Sequence, residues 1–175
     1  MKNKNGFRVS RIGNERTPRL IILLCNPGGN PKWPRRFPEY AMDKDGCYKQ
    51  IGMNFSQVRE YCEWWDNVLN VTDKYVKDSD ILALEYYPYH TPGMCKETNN
   101  KALWDDFAKN SLEQNKKLLQ KHMGNGVPVF GYYWGNWLKE NIPGLTKYCY
   151  QSKNTRGQAS KLHDLKDFLE HENFK

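Results

Sequence analysis

Several features that would place this chain in a familiar class are missing from its sequence. No apolar run approaches the roughly 20 residues that cross a membrane, and residues 1–19 are charged and lack the apolar segment of a secretory signal. The five cysteines are odd in number, widely spaced and free of any C-x-x-C pair, and the four histidines form no ligand-spaced cluster. We therefore expect a cytoplasmic protein with no membrane partner, no metal ion and no other cofactor.

What the chain does carry is an excess of basic side chains and many aromatic rings. Its 175 residues include 27 Lys or Arg against 20 Asp or Glu, a net charge of +7, and 6 Trp, 11 Tyr and 7 Phe. A positive balance favours polyanions, and aromatic rings offer faces on which bases stack. A groove that holds nucleic acid is one interpretation, and a soluble basic protein that binds none is the alternative. We predict a basic, partly ordered lead-in over residues 1–18 and a single domain over residues 19–175.

The stretch LIILLCNPGGNP, residues 20–31, joins a strand to an Asn-Pro-Gly-Gly turn. Its first five residues are too few for a helix, and their Ile and Leu content is typical of a strand buried on both faces. Pro27 then removes a backbone donor, while Gly28 and Gly29 permit conformations that a side chain would forbid. At the carboxyl end of a buried strand, such a turn indicates a ligand-binding edge. A simple strand-ending turn explains it equally well.

Helix and strand patterns alternate along the rest of the chain. Apolar residues at helical spacing predict helices over residues 55–69 and 101–123 and in the last segment after residue 158. Strands are predicted over residues 81–87, 127–133 and 145–150. Such alternation specifies a parallel sheet covered on both faces. We therefore predict the α/β class, as a three-layer α/β/α sandwich around a central four-stranded, mainly parallel sheet.

Polar turns follow the predicted strands, and the topology would gather them at one edge of the sheet. These turns are Asn26-Pro27-Gly28, Tyr89-His90-Thr91, Trp134-Gly135-Asn136 and residues 152–156. Next to the first turn, the loop of residues 32–53 alternates aromatic and cationic side chains. Structureless loops of this length are usually functional or disordered, so this loop is either a binding lip or a mobile spacer.

Together these segments resemble the uracil-DNA glycosylase superfamily, over most of the chain from Leu20 to the last helix. LLCNPGGNP is similar to the first motif of the mismatch-specific and single-strand-selective branches. VPVFGYYWGNW resembles the superfamily's third strand, which runs into Trp-Gly, and SKNTRGQASKLHDLKDFL resembles the region of its Arg-Gly and last helix. The resemblance implies a uracil-DNA glycosylase-like fold, DNA as the partner, and hydrolysis of the N-glycosidic bond of uracil or another damaged base.

The resemblance also implies roles for individual residues. By position, Asn26 would hold the attacking water. The histidine of the family's second motif is not matched, because the chain has Tyr150-Gln151-Ser152 there, so Ser152 is expected to take part of its role. The other catalytic candidate, His90, comes from its place after the second predicted strand and matches no motif of the family. Candidates for substrate binding are Pro27, Gly28, Gly29, Phe37, Tyr40, Tyr89 and Asn136, and candidates for the nucleic-acid backbone are Arg35, Arg36, Lys153 and Arg156.

Three functions remain open from the sequence. The first is a DNA glycosylase that acts as a monomer, and the second is a catalytically inactive module of the same fold that binds single-stranded nucleic acid or a nucleotide. The third is a protein-interaction domain that docks a partner on its aromatic surface. The asparagine retained after the first strand favours the glycosylase.

Overall fold

The computed structural model of the chain describes residues 11–25, 54–59, 63–88, 96–132, 142, 144, 149–152 and 158–172. These residues form a mixed α/β structure. Its strands are β1 (Arg11–Gly13), β2 (Leu20–Leu24), β3 (Ile81–Glu85), β4 (Val129–Gly131) and β5 (Cys149–Gln151). Its α-helices are α1 (Phe55–Arg59), α2 (Glu63–Thr72), α3 (Lys96–Asn99), α4 (Asp106–Gly124) and α5 (Gln158–His171), with 3₁₀ turns at Asp78–Asp80 and Lys101–Leu103.

The five described strands lie in one sheet, in the order β1-β3-β2-β4-β5. Strand β2 pairs in parallel with β3 on one side and with β4 on the other, β5 continues in parallel beside β4, and β1 pairs antiparallel with β3. Numbered among themselves, the parallel strands follow the order 2-1-3-4, so the winding reverses between β2 and β4. Open α/β sheets bind ligands at such a switch point, in the crevice outside the carboxyl ends of the two strands.

The side chains of β2 divide between the two faces of the sheet, as the period of two in a strand requires. Leu20, Ile22 and Leu24 pack into one core with side chains of α1, α2 and α5. Ile21 and Leu23 pack into a second core with side chains of α4. Because all five residues of the strand are buried, helices cover the sheet on both faces.

Helix α4 shows how the sequence sets the ends of an element. The side chain of Asp105 caps the first turn by accepting a hydrogen bond from the backbone N–H of Ala108 at 2.9 Å. At the other end, the N–H of Asn125 reaches back to the carbonyl of His122 at 3.1 Å, and Gly126 adopts a φ of 76°. That left-handed conformation is open to glycine without strain, so the chain turns out of the helix where the glycines predict its end.

The predicted α/β class with a mainly parallel sheet is confirmed, but the sheet has five strands in the described residues instead of four. The additional strand, β1, lies inside the predicted lead-in of residues 1–18 and adds an antiparallel edge to β3. The predicted helix over residues 55–69 is described as two helices, α1 and α2. No helix in the described segments is both long and apolar enough to span a bilayer.

The other predicted elements are present with different bounds, and residues 133 and 145–148 lie outside the described residues. The strand predicted over residues 81–87 ends at Glu85, although Tyr86 and Tyr87 still donate to the carbonyls of Leu24 and Cys25, each at 2.8 Å. The helix predicted over residues 101–123 begins at Asp106, after a 3₁₀ turn. The strands predicted over residues 127–133 and 145–150 are β4 and β5.

Candidate functional site

Most of the residues that the sequence assigns to the site lie outside the described residues. These are Asn26, Pro27, Gly28, Gly29, Arg35, Arg36, Phe37, Tyr40, Tyr89, His90, Asn136, Lys153 and Arg156. Ser152 is described, and so are the strand ends from which the predicted turns depart. The geometry of the carboxyl edge therefore rests on the residues at these strand ends.

A row of four side chains crosses the carboxyl edge of the sheet. The register pairs Leu24 with Glu85. Backbone bonds of 2.9 Å from Tyr132 to a carbonyl of β2, and from Ser152 to a carbonyl of β4, extend the parallel ladder beyond β4 and β5. Glu85, Leu24, Tyr132 and Ser152 thus follow one another across the sheet, about 4.8 Å apart from strand to strand. By strand alternation all four are on the face covered by α1, α2 and α5, where Leu24 and Tyr132 join the core.

The carboxyl group of Glu85 is buried in this row, and one of its oxygen atoms lacks a hydrogen-bond partner in the described residues. The side chain is 4% exposed, and its Oε2 atom has no hydrogen-bond partner in the described part of the chain. Loss of hydration raises the pKa of Glu85 well above its ordinary value of 4.5. Burial therefore favours the neutral acid, which offers one O–H donor and one carbonyl acceptor.

Helix α4 holds the backbone at this strand end from the opposite face of the sheet. Asn115 is fully buried, and its Nδ2 atom donates to the backbone carbonyl of Glu85 at 3.0 Å. A buried amide here interrupts the apolar face of α4, which packs through Leu112 and Leu119. This contact fixes the position from which the Glu85 side chain departs.

The hydroxyl of Tyr132 is a second buried group of this kind, on the other side of Leu24 from Glu85. Its side chain is buried, and its hydroxyl has no hydrogen-bond partner among the residues that the structure describes. Burial and, secondly, the charge of Asp164 raise the pKa of the Tyr132 phenol, which favours its protonated form. Like Glu85, Tyr132 is thus a neutral donor and acceptor at the edge of the sheet.

Ser152 and Asp164 form a hydrogen bond next to Tyr132. The Oγ atom of Ser152 donates to Oδ2 of Asp164 at 2.6 Å, and both side chains are buried. This distance is typical of a hydroxyl bound to a carboxylate. Helix α5 therefore contributes an acidic group to the carboxyl edge, where the sequence predicted only Ser152.

Lys161 brings a positive charge to the same part of α5, one turn before Asp164. Partial burial lowers the pKa of Lys161, while an electrostatic interaction with the Cys25 thiol acts in the opposite direction. Cys25 is itself buried at the end of β2, and Asn26 follows it in the sequence. The amino group of Lys161 is therefore within electrostatic range of the end of β2.

Sequence reasoning missed the acid of this edge, and one signal was available. Glu85 is the charged residue of an otherwise apolar and aromatic strand, ILALEYY, and glutamate is almost never fully buried unless it is paired. Tyr132, Asp164 and Lys161 gave no such signal. A tyrosine is an ordinary strand residue, and charged residues are ordinary on a helix.

Comparison of the chain with protein-family models, with curated proteins and with solved structures finds no match. Within the described segments, no group of three or more His, Cys, Asp or Glu side chains is arranged to hold a metal ion. The chemistry that the described edge presents is that of neutral hydrogen-bonding groups, Glu85, Tyr132 and Ser152.

Proposed function

We propose that the chain is a DNA glycosylase of uracil-DNA glycosylase-like fold. It hydrolyses the N-glycosidic bond of uracil or another base with a water positioned by Asn26. The observation that carries the proposal is the place of this asparagine in the chain. It directly follows Cys25 at the carboxyl end of β2, one of the two strands that bound the switch point of the sheet.

The groups beside this position suit a nucleobase. A base has apolar faces and polar edges, and an enzyme that acts on it takes it out of the stack and binds its edge by hydrogen bonds. Glu85 and Tyr132 offer buried hydrogen-bonding atoms on either side of the apolar Leu24. Cleavage of the N-glycosidic bond develops negative charge on the base and positive charge on the sugar. Preorganised donors at the base therefore stabilise the transition state.

The positive charge of the chain suits the phosphate backbone of DNA. The net charge is +7, and the amino group of Lys161 is within electrostatic range of Cys25 at the end of β2. Phosphate contacts supply much of the affinity of proteins for DNA and make it salt-dependent. We assign the DNA backbone to Arg35 and Arg36 of the aromatic and cationic loop and to Lys153 and Arg156 of the turn after the last strand.

A second candidate is a module of the same fold that binds nucleic acid without cleaving it. The observation that favours it is the bond between Ser152 and Asp164. The Ser152 proton is donated to a carboxylate of α5, so it is not directed at a leaving base. The family's histidine, which stabilises the departing base, is also unmatched in the sequence.

The test uses labelled single- and double-stranded oligonucleotides that contain one uracil, followed by alkaline cleavage of any abasic site. We expect cleavage, and we expect Asn26→Ala to slow it by about a hundredfold or more, the usual contribution of a group that orients or activates a nucleophile. Asn110→Ala, on the exposed face of α4, is the matched control and should retain full activity.

Each outcome separates the candidates. Base release by Asn26→Ala at the rate of the unaltered chain contradicts the role of Asn26. Salt-sensitive binding of the oligonucleotides without cleavage at any base supports the binding module. If the protein neither cleaves nor binds the oligonucleotides, nucleic acid is excluded as its partner.

A further inference from the structure

We draw no further inference here: the strongest candidate, the side-chain cluster of Tyr132, Ser152 and Asp164 at the carboxyl ends of β4 and β5, belongs to the site already described, and nothing in the described residues shows which ligand would meet it.

Discussion

Replacing Glu85 by glutamine should change how the stability of the protein depends on pH. Burial raises the pKa of Glu85 well above 4.5 in the folded chain, whereas the unfolded chain exposes the carboxyl to water. Between the two pKa values the folded state therefore retains a proton that the unfolded state has lost. In that window the free energy of unfolding falls by about 1.4 kcal/mol for each unit of rising pH.

Glutamine has no proton to exchange, so Glu85→Gln is free of this dependence. The two proteins should be similar in stability below about pH 4.5, where the carboxyl is protonated in both states. Above that pH the unaltered chain loses stability, so the free energy of unfolding of the variant exceeds that of the unaltered chain by about 1.4 kcal/mol more for each pH unit. The difference stops growing when the pH passes the pKa of Glu85 in the folded state. The amide has nearly the same shape as the acid, and the bond from Asn115 to the Glu85 backbone is kept. Packing differences should therefore add only a constant offset.

The assay is urea denaturation at a series of pH values, followed by the fluorescence of the buried Trp65 and Trp104. Glu113→Gln, on the exposed face of α4, controls for the loss of one formal charge. A stability difference between Glu85→Gln and the unaltered chain that does not change with pH would refute the reasoning. It would mean that the carboxyl is hydrated or paired in the folded protein.

Two further substitutions test the geometry around the sheet, both by urea denaturation. Gly13→Ala places a Cβ atom in steric overlap with the Ile81 carbonyl oxygen, at a φ of +96°. It should therefore cost about 2–5 kcal/mol, from backbone strain and from displacement of β1. Ser152→Ala removes the 2.6 Å bond to a buried carboxyl group, that of Asp164, and should cost about 1.5–3 kcal/mol.

Each of these substitutions has a matched control in the chain. Gly126 also has a positive φ, of +76°, but a Cβ atom there would meet nothing within 4 Å, so Gly126→Ala reports backbone strain alone. Ser79 forms an exposed bond of 3.3 Å to Asp80, so Ser79→Ala should cost well under about 1 kcal/mol. Equal losses within either pair would contradict the geometry described for Gly13 or for Ser152.

The elements that the sequence predicted well are those whose pattern is local and long. Strand β2 is five consecutive apolar residues, and α4 has an aspartate cap, apolar residues at helical spacing and glycines at its end. Strand β1 could not be predicted in this way. It is three residues with a single buried apolar side chain, Ile12, and it forms because β3 offers an edge about 70 residues further along the chain.

The site was less predictable than the fold because its residues come together only through the register. Ser152 was placed at the edge because it follows a predicted strand. Glu85 was read as part of a strand, since no local pattern shows that the carboxyl end of this strand is covered from both faces. Asp164 looks like any polar residue of an amphipathic helix, and its bond to Ser152 depends on how α5 packs on β5.

Two of the buried polar atoms that lack a hydrogen-bond partner in the described residues, Oε2 of Glu85 and the hydroxyl of Tyr132, lie in the same row. A buried polar atom without a partner costs about 1–3 kcal/mol, against a total stability of about 5–15 kcal/mol for an ordinary domain. Glu85 and Tyr132 both carry this cost, and they are two strands apart in one row, with the apolar Leu24 between them. A nucleobase, with its apolar faces and polar edges, is the ligand that the proposed function places at this switch point.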